Sequence, residues 1–311
     1  MSVKGNPTEA AMSGVLQSGV ALPVRRGTGL RNALASVAVV FALIYTAACG
    51  YLWMWQSYLI FQPNLTIDLT PEDYGLSYRE VRLPVKKGAS GYDELHGWWI
   101  PAKGQKVLLY LHGNGGNIGS NLPHAVRFQR LGFSIFIMDY RGYGQSTGDY
   151  PTESQVYDDA EAAWNYLLAQ GEDPKRIFIY GHSLGGAIAI DLATRVQKAA
   201  GLIIEGTFTS MSDVVVWGGK YWMFPVDLLL HQRFDSISKA PSLNLPVLII
   251  HGTADRKIPF DMGEKLLAAI PSANKKLVLI PDGGHSNSAK VGRPLYLQSV
   301  QSFADSVAQR K

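Results

Sequence analysis

Two absences narrow the reading before any motif is considered. The chain has a single cysteine, Cys49, among 311 residues, so no disulfide can close within it and no cysteine-based metal site can be assembled. It also lacks a basic face. The formal charge is +4, but Lys4, Arg25, Arg26 and Arg31 against Glu9 place three of those four charges ahead of residue 33. What remains is close to neutral, whereas a surface that neutralises phosphates needs clustered Lys and Arg on the folded part; nucleic acid is therefore not an expected partner. The seven histidines fall at no ligand spacing such as H-E-x-x-H, so neither a metal nor any other cofactor is called for. Oligomeric state leaves no signature here.

A third absence is local. From Ala33 to Phe61 there is no charged residue, and 33–55 is long enough to cross a hydrocarbon layer of roughly 30 Å as a helix. Arg25, Arg26 and Arg31 precede this run, while Asp68, Glu72 and Asp73 are the first charges after it. The positive-inside rule then leaves the N-terminus cytoplasmic and the bulk of the chain exoplasmic, in periplasm or lumen. Tyr51, Trp53, Trp55 and Tyr58 suit an interfacial belt. The same run also reads as a cleaved signal peptide or a core helix, and Thr46-Ala47-Ala48-Cys49 looks like a degenerate lipoprotein cleavage box. Residues 1–32, rich in Gly, Ser and Ala, are expected to be a mobile tail.

With 47% hydrophobic and 17% charged residues, the rest has enough aliphatic sequence for a sizeable core. After Pro63 short apolar runs alternate with amphipathic stretches, the pattern of alternating strands and helices. Strands are predicted at 78–83, 94–100, 106–111, 134–140, 176–180, 201–205, 246–251 and 276–280. Helices are predicted at 122–131, 153–169, 186–197, 261–269 and 295–308. The last six strands are nearly continuous aliphatic runs, as strands covered by helices on both faces should be. The expected architecture is α/β: an eight-stranded, mostly parallel sheet flanked by helices, one domain over 63–311 with an insertion at 206–245 after the sixth strand.

Gly181-His182-Ser183-Leu184-Gly185 leaves a predicted strand and enters a predicted helix. A serine hydroxyl is a poor nucleophile unless it is exposed and a base can reach it, and a sharp strand-to-helix turn lifts it clear of the sheet. The base needs a carboxylate to fix its tautomer and to stabilise the imidazolium. Downstream of Ser183 stand His231, His251 and His285. His251 ends a strand, as a packed residue would, and His231 lies within the insertion. His285 follows the last strand in Pro281-Asp282-Gly283-Gly284-His285, and is the expected base. Asp255, just past the penultimate strand, is the preferred acid, with Glu205 and the turn residue Asp282 in reserve. The oxyanion of an acyl-transfer step would be met by the backbone N–H groups of Asn114, in Leu111-His112-Gly113-Asn114-Gly115-Gly116-Asn117, and of Leu184. Activity should then rise with pH as the base loses its proton.

The glycine-rich loop also invites a dinucleotide reading, with Asp139 at the end of the next strand, but the spacing fails. Counting from Gly113, the sixth position is Ile118 and the glycine arrives one place late at Gly119. The insertion carries Val214 to Trp217 and Tyr221 to Phe224. It reads equally as a lid lining an acyl pocket, with Trp217 and Trp222 in contact with substrate, or as a helix packed on the sheet.

From about Tyr78 to the C-terminus the chain resembles the serine α/β-hydrolase superfamily. The resemblance rests on the His-Gly-Asn-Gly-Gly-Asn loop, Asp139-Tyr140-Arg141-Gly142-Tyr143-Gly144, Gly181-His182-Ser183-Leu184-Gly185-Gly186 and Pro281-Asp282-Gly283-Gly284-His285. These motifs are similar to those of a membrane-anchored branch that includes depalmitoylating thioesterases and serine-aminopeptidase-like hydrolases. The resemblance implies an ester, thioester or amide hydrolase. It is specific for mechanism and poor for substrate, because one fold and triad serve many chemistries. A small-molecule or lipid-derived acyl substrate is expected, and a non-catalytic scaffold is the competing class. The depalmitoylating members have a cysteine-rich N-terminus; here only Cys49 is present.

Overall fold

The computed structural model describes residues 28–88 and 91–308. The chain divides into two compact units, residues 1–48 and 49–311. Helix α1, Thr28–Met54, begins ahead of the expected residue 33, because Thr28 to Asn32 carry no helix breaker beyond Gly29. The rest of the expected tail, residues 1–27, lies outside the described residues. Within α1 the stretch Gly29–Met54 has a mean hydropathy of 2.1 and is long and apolar enough to cross a membrane, a test that a signal sequence passes as well.

The second unit is built on a single eight-stranded sheet: β1 (Arg79–Lys86), β2 (Tyr92–Ile100), β3 (Lys106–Leu111), β4 (Phe133–Met138), β5 (Ile177–His182), β6 (Gly201–Glu205), β7 (Val247–Gly252) and β8 (Lys275–Ile280). In space the order is β8-β7-β6-β5-β3-β4-β2-β1. β2 is antiparallel to both neighbours, and every other pairing is parallel. Alternation along one strand shows why the central runs are aliphatic throughout. Val107, Leu109 and Leu111 of β3 join one hydrophobic core, while Leu108 and Tyr110 join the other. Helices α4 (Glu153–Ala169) and α5 (Leu184–Arg195) cover the first face, and α3 (Ile118–Arg130) covers the second. Leu109 is completely buried, so Leu109→Ala is expected to cost about 2–5 kcal/mol.

Local chemistry sets the helix bounds. α4 starts at a capping box in which Thr152 accepts from the Gln155 amide and Gln155 accepts in return from the Thr152 amide. Each such cap contributes about 1 kcal/mol. α3 starts at Ile118 rather than at 122, despite Gly119 and Pro123. Asn117 caps it by accepting from the Ser120 amide at 3.1 Å, and the buried Asp139 carboxylate accepts from the Ile118 amide at 2.9 Å. Asp139 is thus committed to a helix N-terminus and is fully buried, which removes it as a ribose ligand.

The second unit begins at Cys49 rather than at residue 63. Past α1, the short helix α2 (Gln56–Ile60) presents Gln56 and Ile60 inward, and Phe61 is completely buried. Phe61 meets Tyr143 and Phe234 edge-on. Gln62–Pro63 then pairs in parallel with Gly115–Gly116, forming a second, two-stranded sheet.

Candidate active site

β5 delivers Ser183 and α5 carries the chain away. Ser183 sits at φ 56°, ψ −121°, a strained conformation that typically costs about 1–3 kcal/mol and is held by its surroundings. The Ser183 amide donates to the Glu205 carbonyl at 2.9 Å, and Thr207 Oγ1 donates to the Ser183 carbonyl at 2.8 Å. The flanking glycines are steric necessities. A Cβ at Gly181 would collide with the Gly185 carbonyl, and one at Gly185 with the carbonyls of Leu111 and His112.

Three loops at the carboxyl ends of β5, β7 and β8 converge. His285 Nε2 lies 2.9 Å from Ser183 Oγ, and His285 Nδ1 lies 2.8 Å from Asp255 Oδ2. A carboxylate can only accept, so Nδ1 carries the ring proton and Nε2 is free to take one from the serine. Asp255 is aimed by the amides of Lys257 at 2.9 Å and Ile258 at 3.0 Å, both on Oδ1. Burial opposes its ionisation, but hydrogen bonds from His251 and His285 and the Ile258 amide together hold the carboxyl well below the usual carboxylate range. His251 itself is completely buried and its Nε2 donates to the Ile258 carbonyl at 2.9 Å, so it packs behind the acid. The His285 loop is latched by Ala254 N–H to the Gly283 carbonyl at 2.8 Å and by Gly284 N–H to Asn287 Oδ1 at 2.7 Å. Asp282 occupies the left-handed turn position at φ 57° and is not the acid.

Glu205, the other reserve, faces away from His285. Its Oε2 accepts from Tyr180 at 2.7 Å and Tyr296 at 2.6 Å. A residue that the sequence did not mark stands between: His182 Nε2 donates to the His285 carbonyl at 2.9 Å, with the two rings 5.1 Å apart. Burial pushes His182 down to about 4.

Ser183, Leu184, His285 and Asn114 line one cavity of about 640 Å³. Asn114 is braced from several sides. Its carbonyl accepts from the Gln62 amide at 2.9 Å and the Tyr143 hydroxyl at 2.7 Å, and its Nδ2 donates to the Ile60 carbonyl at 3.1 Å. The insertion supplies Phe208, Met211, Val214, Phe224 and Leu229 to the lining. Trp217 and Trp222 do not reach it. Trp217 turns its Nε1 to the Arg256 carbonyl at 3.4 Å, and Trp222 is 81% exposed. The short helix Met211–Gly218 directs Met211, Val214 and Val215 to the cavity, which leaves Trp217 off that face. Leu52, Gln56, Leu59 and Ile60 also line the cavity, a contribution the sequence reading missed. The available signal was Gln56-Ser57, a polar step that interrupts an otherwise apolar run.

Known proteins place the chain in a family. The profile for serine aminopeptidase, S33, matches residues 102–234. An uncharacterised protein of Mycobacterium tuberculosis is 32% identical over 282 residues, covering 89% of this chain and 96% of the relative. The chain belongs to the serine α/β-hydrolase superfamily. Another relative of this hydrolase is protein bem46 of Schizosaccharomyces pombe, 31% identical with 83% of this chain and 87% of that protein covered. Among solved structures, a Pyrococcus furiosus esterase superposes on the hydrolase with a TM-score of 0.68 at 20% identity, over 79% of this chain and 97% of that one. That likeness is one of fold.

Proposed function

We propose that this hydrolase cleaves a carboxylic ester or thioester with an apolar acyl group through a Ser-His-Asp triad. The observation that carries the reading is the unbroken chain from Ser183 Oγ through His285 to Asp255 at one end of a largely apolar cavity. Ser183 Oγ attacks the carbonyl carbon while its proton passes to His285 Nε2. The resulting oxyanion is received by the Asn114 and Leu184 amides. Collapse breaks the bond to the leaving group as His285 passes its proton to the departing alkoxide or thiolate, releasing an alcohol or thiol and leaving an acyl-enzyme. Water, deprotonated by His285, then releases the acid and restores Ser183.

A serine-aminopeptidase-like activity is the second reading, favoured by the matching profile. An aminopeptidase must hold the free ammonium of its substrate, and no Asp or Glu stands among the described residues lining the cavity. The lining supports an uncharged acyl chain instead. Burying each added methylene is worth about 0.8 kcal/mol, close to fourfold in affinity, so turnover at low substrate should climb with acyl length until the cavity is full. Helix α1 is read as a single-pass anchor with the N-terminus cytoplasmic and the catalytic unit exoplasmic; a reporter fused after Lys311 that reads as cytoplasmic overturns that orientation.

A fluorophosphonate probe tests the central claim. Wild-type protein should be labelled and Ser183→Ala should not. Unlabelled wild type, or equal labelling of both, returns the chain to the non-catalytic scaffolds of the fold.

A further inference from the structure

Gln56 is only 4% exposed and every polar atom of its side chain is used. Its Nε2 donates to the Leu229 carbonyl at 2.6 Å, and its Oε1 accepts from the amides of His231 at 3.1 Å and Gln232 at 3.2 Å. The neighbouring Ser57 hydroxyl accepts from Gln232 Nε2 at 3.0 Å. These bonds fasten the insertion, at its Leu229 to Gln232 end, to the segment that follows α1. The same segment, four residues on, accepts from Asn114 Nδ2 through the Ile60 carbonyl and pairs with Gly115–Gly116 through Gln62–Pro63. One short stretch therefore ties the apolar insertion to the oxyanion loop, and Leu52, Leu59 and Ile60 on it form part of the cavity lining.

We propose that residues 52–62 are a specificity-determining strut that sets the usable length of the acyl cavity, with Gln56 as its positioning residue. The inference rests on the esterase or thioesterase reading above. Gln56 touches no reacting atom; it acts by fixing Leu229 and Leu230 of the insertion against Leu59 and Ile60. An apolar side chain at position 56 leaves the part-buried Leu229 carbonyl and His231 amide and the buried Gln232 amide without their partner, so the insertion must shift to bring water to them. The cavity wall then loses its register while the Ser183, His285 and Asp255 contacts, made by other loops, persist. A long acyl chain feels the displaced wall, and an acetyl group does not extend to it.

The test uses full-length Gln56→Leu and Ser57→Ala in detergent micelles with p-nitrophenyl esters from acetyl to dodecanoyl. KM and kcat are read separately, and fluorophosphonate labelling counts competent sites. For Gln56→Leu the KM of the dodecanoyl ester is expected to rise roughly tenfold, and that of the acetyl ester no more than about threefold. Ser57→Ala, which removes one bond, should shift the same ratio by roughly two- to threefold. A change uniform across chain lengths, or none, overturns the strut. If Gln56→Leu does not fold, Ser57→Ala decides: a flat profile rejects the proposal and a length-dependent one supports it. Wild type that neither labels nor turns over any ester overturns the enzyme reading and this inference with it, whereas labelled, active wild type with flat variants overturns the strut alone.

Discussion

Asp255 and Glu205 are two carboxylates on adjacent parallel strands, one just past the end of β7 and the other closing β6, whose Glu205 pairs with Ile250 of β7. Both are buried, and both are held below their ordinary pKa against the opposing effect of burial. For Asp255 hydrogen bonds from His251 and His285 do this; for Glu205 it is the neighbouring His124 and His182 imidazoles together with the hydroxyl donors of Tyr296 and Tyr180. They differ in what their oxygens meet. One oxygen of Asp255 is spent on backbone amides and the other on the imidazole that reaches Ser183. Glu205 takes two phenols on one oxygen, Oε2, and neither oxygen bonds a catalytic-loop imidazole. Position at a strand end thus makes a carboxylate available; its hydrogen-bond partner gives it a role.

The largest effect should separate the two most clearly. Asp255→Asn is expected to lower kcat about 10⁴-fold with the fold intact, because the amide presents a donor where the imidazole N–H needs an acceptor. Glu205→Gln should leave kcat within about tenfold of wild type. The opposite result would exchange their assignments. Next in size, Glu205→Ala strands two buried phenol donors and should lower unfolding free energy by about 3 kcal/mol in a denaturant titration; an unchanged midpoint would show that the tyrosines find other partners.

His182, paired with Glu205 across the sheet and bonded to the His285 carbonyl, links the comparison to pH. Its native pKa of about 4 lies below the ordinary 6.5. As pH falls through that window the unfolded chain takes up a proton that the native state refuses. Stability is therefore complete above the window and declines within it by about 1.4 kcal/mol per unit. The two depressed carboxylates contribute above the ordinary carboxylate range, and their share is lost at still lower pH. Melting curves between pH 7 and 4 should show the decline, and a flat profile would rule out a neutral buried imidazole at this position. The smallest expected effect is that of Trp222→Ala, whose acyl-length profile should match wild type, while Phe224→Ala should not. A changed profile in the tryptophan variant would return that residue to the pocket.

Much of this arrangement was legible because it is written locally. The bounds of Glu153–Ala169 and Asp261–Ala269 coincide with the sequence reading, and the Thr152–Gln155 cap marks the first of them. The elbow at Ser183 was legible because glycines are demanded wherever backbones touch. Asp255 was already preferred over Glu205 for its place just past the penultimate strand; that Glu205 instead turns to Tyr180 and Tyr296 needed three dimensions. The two tryptophans were misplaced for a related reason: apolarity marks Trp217 and Trp222 as candidates, but which face of a short helix turns inward depends on its packing partners. Gln56 showed in the sequence only as part of a polar step in an apolar run, and its role did not, because all three of its bonds are made to residues far along the chain.

That separation has a consequence for synthesis. Gln56 leaves the ribosome 173 residues ahead of Leu229, an interval of roughly 10–35 s at ordinary elongation rates. Through that time the amide of Gln56 and the leucines beside it lack the partners they have in the folded chain. The wall of the cavity is among the first parts of the second unit to be translated and among the last to be completed.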